Sequence, residues 1–210
     1  MSRAVRALLG AVVALALAGA VVLTATVLGG GDRCDAALRD LDGRCVVLDA
    51  PPSAAAADLR PTGGRFEAPA QGLDVPLTAM PGARSVLDPP TFTEAFVLAD
   101  PDRTSASGVR PLVVAMHAVR DGRAPGNVFF EPGAPDPAVT VAPGDPLRVD
   151  GVAYVVERTE VLTKDAAAAS PEIWGRLPDG ERRLVVLTCL QRSGATGAAR
   201  ENVVVHAVRR

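Results

Sequence analysis

A chain of 210 residues has room for one domain with extensions. Its net charge of −2 gives no general attraction to nucleic acid, and its 18 prolines and 20 glycines speak against a helical bundle. All but one of its 22 Lys+Arg residues are arginine, Lys164 being the exception; with the Ala, Gly, Pro and Val content this reads as a GC-rich coding bias and specifies no fold.

The chain opens on two arginines, Arg3 and Arg6, and then runs without a charge from Ala7 to Gly30. Roughly 20 apolar residues cross the hydrocarbon core as a helix, and a cleaved signal peptide needs a shorter run of roughly 7–15. Basic residues precede the run and acidic ones follow it, so the expected orientation is N-terminus inside. Residues 1–6 are read as cytoplasmic and 7–30 as a transmembrane signal anchor in the cell membrane. The small-residue stretches "AGA" and "TAT" leave cleavage open as the alternative.

Outside the membrane, thiols tend to pair. Cys34 and Cys45 flank a short loop and are expected to form a disulfide, against the alternative of two unrelated thiols. If they pair, Cys189 is left over, a candidate reactive thiol. Residues 31–64, rich in Pro, Ala, Ser and Gly, read as a linker that lifts a domain off the membrane.

The domain is expected over 65–210. "RFEAPAQGLDVPLTAM", "FTEAFVLA", "RPLVVAMHAV", "GNVFFE", "AVTV", "PLRVDGVAYVVERTEVLTK", "RRLVVLTC" and "NVVVHAV" are short apolar runs broken by turn residues. The "DG" at Asp150 and Gly151 marks a hairpin. About eight short strands predict an all-β, closed barrel, which leaves no free edges. "KDAAAASPEIWGRL" is the one helical or loop insertion. There is no phosphate-binding glycine loop, no paired metal-ligand spacing and no acidic cluster around Asp145, so no cofactor and no metal are expected.

Three side chains combine on chemical grounds. Cys189 ends one strand, His117 ends another, and Arg200 stands at the entry to the last. Thiol chemistry needs the thiolate, an imidazole can take its proton, and a guanidinium can hold charge developing on a carbonyl oxygen. The bland alternative is a structural thiol among unrelated charges. Arg192, in the loop, is the weaker candidate arginine. His206 alternates along the final strand and reads as a barrel residue. Trp174 either packs its loop or walls a groove.

These pieces, in order, resemble the sortases, membrane-anchored cysteine transpeptidases, most of all the actinobacterial class E and F groups. "FEAPAQGLDVPL" is similar to the family's opening strand, and "VVAMHAV" to the segment with its histidine. "GNVFFE" with "VAPGDPLRVDGVAYVVERTEVLTK" resembles the stretch that follows, "LVVLTC" the cysteine strand, and "AARENVVVHA" the closing strand with its arginine. The resemblance covers about 65–210 and implies an eight-stranded sortase-type β-barrel. It implies Cys189 as nucleophile, His117 as the catalytic histidine, Arg200 as the arginine near the oxyanion, and Thr188 as the threonine before the cysteine. The implied reaction cuts an LPxTG- or LAxTG-like sorting signal through a thioacyl intermediate. It passes the acyl group to an amine on a peptidoglycan precursor or a pilin lysine. Met116, where the family commonly has glycine, and Leu190, where glycine often follows the cysteine, are expected to line the groove with Trp174 and Thr188 and bind substrate. They also motivate a rival reading, a catalytically divergent anchored barrel used for binding or assembly. An L,D-transpeptidase is disfavoured, because its cysteine motif is absent from "LTCLQR".

Overall fold

A computed structural model of the chain describes Cys34 and residues 38–47, 59–81, 87–99 and 110–210. The expected transmembrane helix at 7–30 lies outside these residues. No helix among the described residues is long and apolar enough to cross a membrane. Chain contacts divide it into two units, Met1–Asp35 and Ala36–Arg210.

The second unit contains a closed barrel in the order β1-β2-β3-β4-β7-β8-β6-β5. Its strands are β1 (Arg60–Ala68), β2 (Leu73–Pro81), β3 (Ala95–Ala99), β4 (Leu112–Met116), β5 (Pro146–Val149), β6 (Val152–Thr163), β7 (Arg183–Cys189) and β8 (Glu201–Arg209). β1 begins at Arg60, so the barrel takes in residues that the sequence assigns to the linker. Two pairs are parallel, β2 with β3 and β4 with β7, and the other ladders are antiparallel.

Strand alternation sets what lies inside. β2 reads buried–exposed at Leu73, Val75 and Leu77, and these meet Phe66, Phe129, Leu147, Leu184, Val186 and Val205 in the barrel interior. The opposite face of β3, β4, β7 and β8 is also covered. Phe96, Val113, Val185, Leu187 and Val204 pack there against Ala167 and Ile173, which come from two short helices, α1 (Lys164–Ala169) and α2 (Pro171–Trp174). This explains why the central strands carry near-continuous apolar runs, as sheets buried on both faces do.

The hairpin expected at Asp150–Gly151 joins β5 to β6, with Val149 paired to Val152 and both turn residues at positive φ, 50° and 74°. "GNVFFE" is not a strand. Pro125–Phe129 is a turn of 3₁₀ helix, and only Phe130 bridges to Val139. Pro125 supplies the fixed φ of a helical first position, and the Asn127 side chain serves the nearby backbone. Its Oδ1 accepts from Val119 and Ala124, and its Nδ2 donates to Val119 O. "AVTV" likewise supplies that single bridge and no ladder.

Candidate active site

The β4–β7 ladder sets the site. Leu112 to Met116 pair in parallel with Leu184 to Thr188, so the next residues, His117 and Cys189, leave the two strands side by side. On the other side of β7, Cys189 pairs with Asn202 of β8. Because a pleat alternates, Ala115, Leu187, Cys189 and Asn202 share one face and Met116 and Thr188 the other. A cleft of about 400 Å³ opens on the first face. Its walls are His117, Cys189, Asn202 and Lys164 with Leu87, Asp88 and Pro89, closed by Ala167, Ala168 and Trp174 from α1 and α2.

His117 is held by a segment that sequence reasoning did not single out. Its Nε2 lies 2.5 Å from Pro89 O and 3.8 Å from the Asp88 carboxylate, and its ring stacks on Phe92 with centroids 4.2 Å apart and planes 17° apart. A carbonyl oxygen only accepts, so Nε2 carries the proton and Nδ1 is the nitrogen left for a neighbour. Burial pushes the His117 pKa down, against the opposing pull of Pro89 O and Asp88. Burial likewise pushes the Cys189 thiol up, with Lys164 lowering it and Asp88 raising it. Both groups therefore favour their neutral forms in the unliganded cleft.

Behind the pair, Gly126 packs with no room to spare. Its N–H donates to His117 O at 2.7 Å, and a Cβ placed on it would lie 1.8 Å from Thr188 Oγ1. That hydroxyl is buried and without a hydrogen-bond partner.

The other candidates divide. Thr188 and Met116 touch the cleft but are only 4% and 3% exposed, their side chains turned to the barrel side of the strands. Leu190 does not line the cleft. Its N–H continues the ladder to Glu201 O, so its side chain alternates inward and joins the barrel core. Met116 and Leu190 both fill the barrel core. For Trp174 the sequence leaves loop packing or groove walling open; its Nε1 donates to Ala167 O at 2.8 Å, tying α2 to α1, and the residue also lines the cleft.

Arg200 stands opposite Lys164, whose N–H donates to Arg200 O, but its side chain is exposed and outside the cleft lining. Arg192 is engaged by Glu201 and Asp136. The cation in the cleft wall is Lys164, the lone lysine, which sequence reading recorded only as an oddity of composition. His206 is buried in β8 and bonds Glu160 at 2.8 Å, away from the cleft. Glu160, Glu172 and His206 bring ligand-type atoms together, but Arg158 is paired to both carboxylates. Cys34 and Cys45 are disulfide-bonded and Cys189 is free.

Neither a protein-family model nor a curated protein matches the chain. Solved structures do. The chain is similar to sortase A of Listeria monocytogenes, at 12% identity and TM-score 0.47, over 70% of this chain and 86% of that one. It is similar to a pilus-related sortase C of group B Streptococcus, at 18% identity and TM-score 0.47, over 70% and 66%. Sortase A of Corynebacterium diphtheriae gives 16% identity and TM-score 0.47, over 70% and 60%. The chemistry of the cleft stands on its own side chains.

Proposed function

We propose that the chain is a membrane-anchored cysteine transpeptidase of the sortase type, held at the cell membrane by residues 7–30 with its barrel outside. The observation that carries this reading is the parallel β4–β7 register, which sets a free thiol and an imidazole level with each other at the wall of one cleft.

The chemistry follows from the groups present. With Nε2 tied to Pro89 O, Nδ1 of His117 takes the thiol proton as Sγ of Cys189 attacks a peptide carbonyl carbon. Charge develops on the carbonyl oxygen, and Lys164 is the cation in the cleft wall positioned to favour it, with Arg200 next to it in the ladder. The imidazolium, steadied by Pro89 O and Asp88, returns the proton to the departing amine, and the C–N bond breaks. A thioester remains on Cys189. An incoming amine attacks it, forms a new amide and releases the thiol. The substrate is a sorting-signal peptide of the LPxTG or LAxTG type, and the acceptor is an amine of a peptidoglycan precursor or a pilin lysine.

The test is incubation of the full chain with fluorogenic LPxTG and LAxTG peptides and an amine acceptor, with mass spectrometry for an acyl adduct on Cys189. Turnover and an adduct in the wild type, both lost in Cys189→Ala and His117→Ala, are expected. A wild-type chain that forms no adduct and releases no product would replace this reading with the divergent, binding-only barrel.

A further inference from the structure

The segment around Cys45 was expected to be linker, yet residues 38–47 are bonded to the barrel unit beside the candidate site. Asp40, 2% exposed, accepts from the backbone N–H of Asp42 at 3.0 Å, Arg44 at 2.8 Å and Arg123 at 2.9 Å. Leu41 N–H donates to Arg123 O at 2.8 Å, so the loop and the strand-exit segment that follows His117 are stitched by two bonds. Gly122 lets them meet, because a Cβ there would lie 2.6 Å from Asp40 Oδ2. Leu38 and Val46 then cover a small apolar cluster of Phe92, Val119 and Ala124.

Phe92 is the link to chemistry. It is 1% exposed, with one side of its surroundings supplied by the 38–46 loop and one ring face stacked on His117. It does not line the cleft, so it has no direct part in holding a peptide. A ring stacked nearly parallel on an imidazole fixes the plane in which both ring nitrogens point. Here that plane sends Nε2 to Pro89 O, and Nδ1 is the nitrogen that the proposed mechanism assigns to the thiol. We propose that the 38–46 loop is part of the catalytic unit and positions His117 through Phe92, the loop's apolar side chains setting Phe92 and Phe92 setting the imidazole plane. Phe92 and Asp40 are positioning residues, acting without touching substrate.

The proposal rests on His117 being the proton partner of Cys189, and its test needs no peptide. In the full chain, the imidazole titration of His117 is followed by NMR, and iodoacetamide alkylation of Cys189 is followed against pH. Phe92→Leu removes the stacked face but keeps apolar volume. Its His117 pKa is expected to rise toward the ordinary imidazole value, since burial is what depresses it, and alkylation near neutral pH to fall by roughly tenfold or more. Phe92→Tyr, which keeps the ring, is expected to restore the wild-type titration. Asp40→Ala, remote from the cleft, is expected to move both readouts in the same direction, and Asp40→Asn, which keeps one acceptor oxygen, to move them less. Should Phe92→Leu fail to fold, the Asp40 pair decides. Folded variants whose His117 titration and Cys189 alkylation match the wild type, whatever their melting temperatures, would overturn the proposal. Peptides that are never turned over, alongside these shifts, would instead count against the transpeptidase reading alone.

Discussion

Gly126→Ala isolates the packing behind His117 and Thr188, beside the proposed thiol–imidazole pair. The new Cβ would lie 1.8 Å from Thr188 Oγ1, 2.7 Å from His117 O and 2.8 Å from Thr188 Cβ. Reaching ordinary contact at 3.4 Å requires the hydroxyl to retreat by about 1.6 Å, and the His117 carbonyl by a smaller amount. Rotating Thr188 does not solve this, because it is β-branched and 4% exposed, and any rotamer leaves its Cβ in place. Overpacking of this kind costs about 2–3 kcal/mol, or roughly 6–9 °C in Tm for a domain of this size. The atoms that must move belong to His117, the proposed base, and to Thr188, the neighbour of the proposed nucleophile, so a displacement of this size is also expected to lower kcat by roughly 10- to 100-fold. The assays are thermal denaturation and peptide turnover on Gly126→Ala, Thr188→Ala and the double variant. Thr188→Ala alone removes a hydroxyl that has no partner and should be mild, and the double variant should recover part of both losses. A Gly126→Ala chain with wild-type Tm and kcat, or a double variant whose effects simply add, would refute the packing argument.

Other expectations are independent of that one. Under non-reducing denaturing conditions maleimide should label one cysteine, Cys189, and all 3 after reduction, as peptide mass mapping can check. Because burial raises the Cys189 thiol, its alkylation rate should go on climbing above pH 9.0, where an ordinary thiol levels off. Lys164→Ala removes the cation that opposes this shift and should slow alkylation at pH 8 by a few-fold, whereas exposed Arg200→Ala should leave alkylation unchanged and register only with a bound peptide. Burial alone would raise the Asp40 pKa, but the N–H groups of Arg123, Arg44 and Asp42 outweigh it and hold the carboxyl below 3.8. A depressed carboxyl stabilises the fold above its unfolded pKa and loses that contribution as pH falls through the folded value. Amide exchange at Leu41 and Arg44 should therefore accelerate only below about pH 4 in the wild type, and be fast at neutral pH in Asp40→Ala.

What the sequence disclosed was local. Strand positions for β1, β2, β4, β7 and β8, the Asp150–Gly151 turn and the helical insertion at 164–174 all follow from periodicity and turn chemistry. Cys189 and His117 were noticeable because each ends an apolar run. "GNVFFE" misled because two adjacent aromatics look like a strand, while the deciding feature was an asparagine side chain bonded to residues 119 and 124. Leu190 was placed in the groove because it follows the cysteine. The ladder continues one residue past β7, and that single step turns it inward. Asp88, Pro89 and Phe92 were out of reach for a different reason. Their partner lies 25 or more residues away, across the antiparallel β3–β4 pairing, and no local pattern marks a carbonyl that will meet an imidazole.

The same register explains why the charged groups sort as they do. Once Met116 pairs with Thr188, and Cys189 with Asn202, one row across three strands carries the imidazole, the thiol and a carboxamide. β6 then pairs Leu162 with Asn202 and Thr163 with Glu201, which puts Lys164 opposite Arg200 two residues beyond that row. Both cations are thus delivered to the same end of the barrel by strand pairing. What distinguishes them is the next element. Thr163 caps α1, its Oγ1 accepting from Ala166 N–H, and the helix packs beside β6 and β8, with Lys164, Ala167 and Ala168 lining the cleft. Arg200 is followed directly by β8 and preceded by an exposed loop, so nothing draws it inward. A one-residue slip of β6 against β8 would exchange the faces of the β6 side chains, removing Lys164 from the cleft while leaving Cys189, Asn202 and His117 where β4, β7 and β8 put them. Cys189 with His117, and Lys164, are therefore set by separate ladders, and substitutions at the β6–α1 junction should tune charge in the cleft without disturbing the placement of Cys189 and His117.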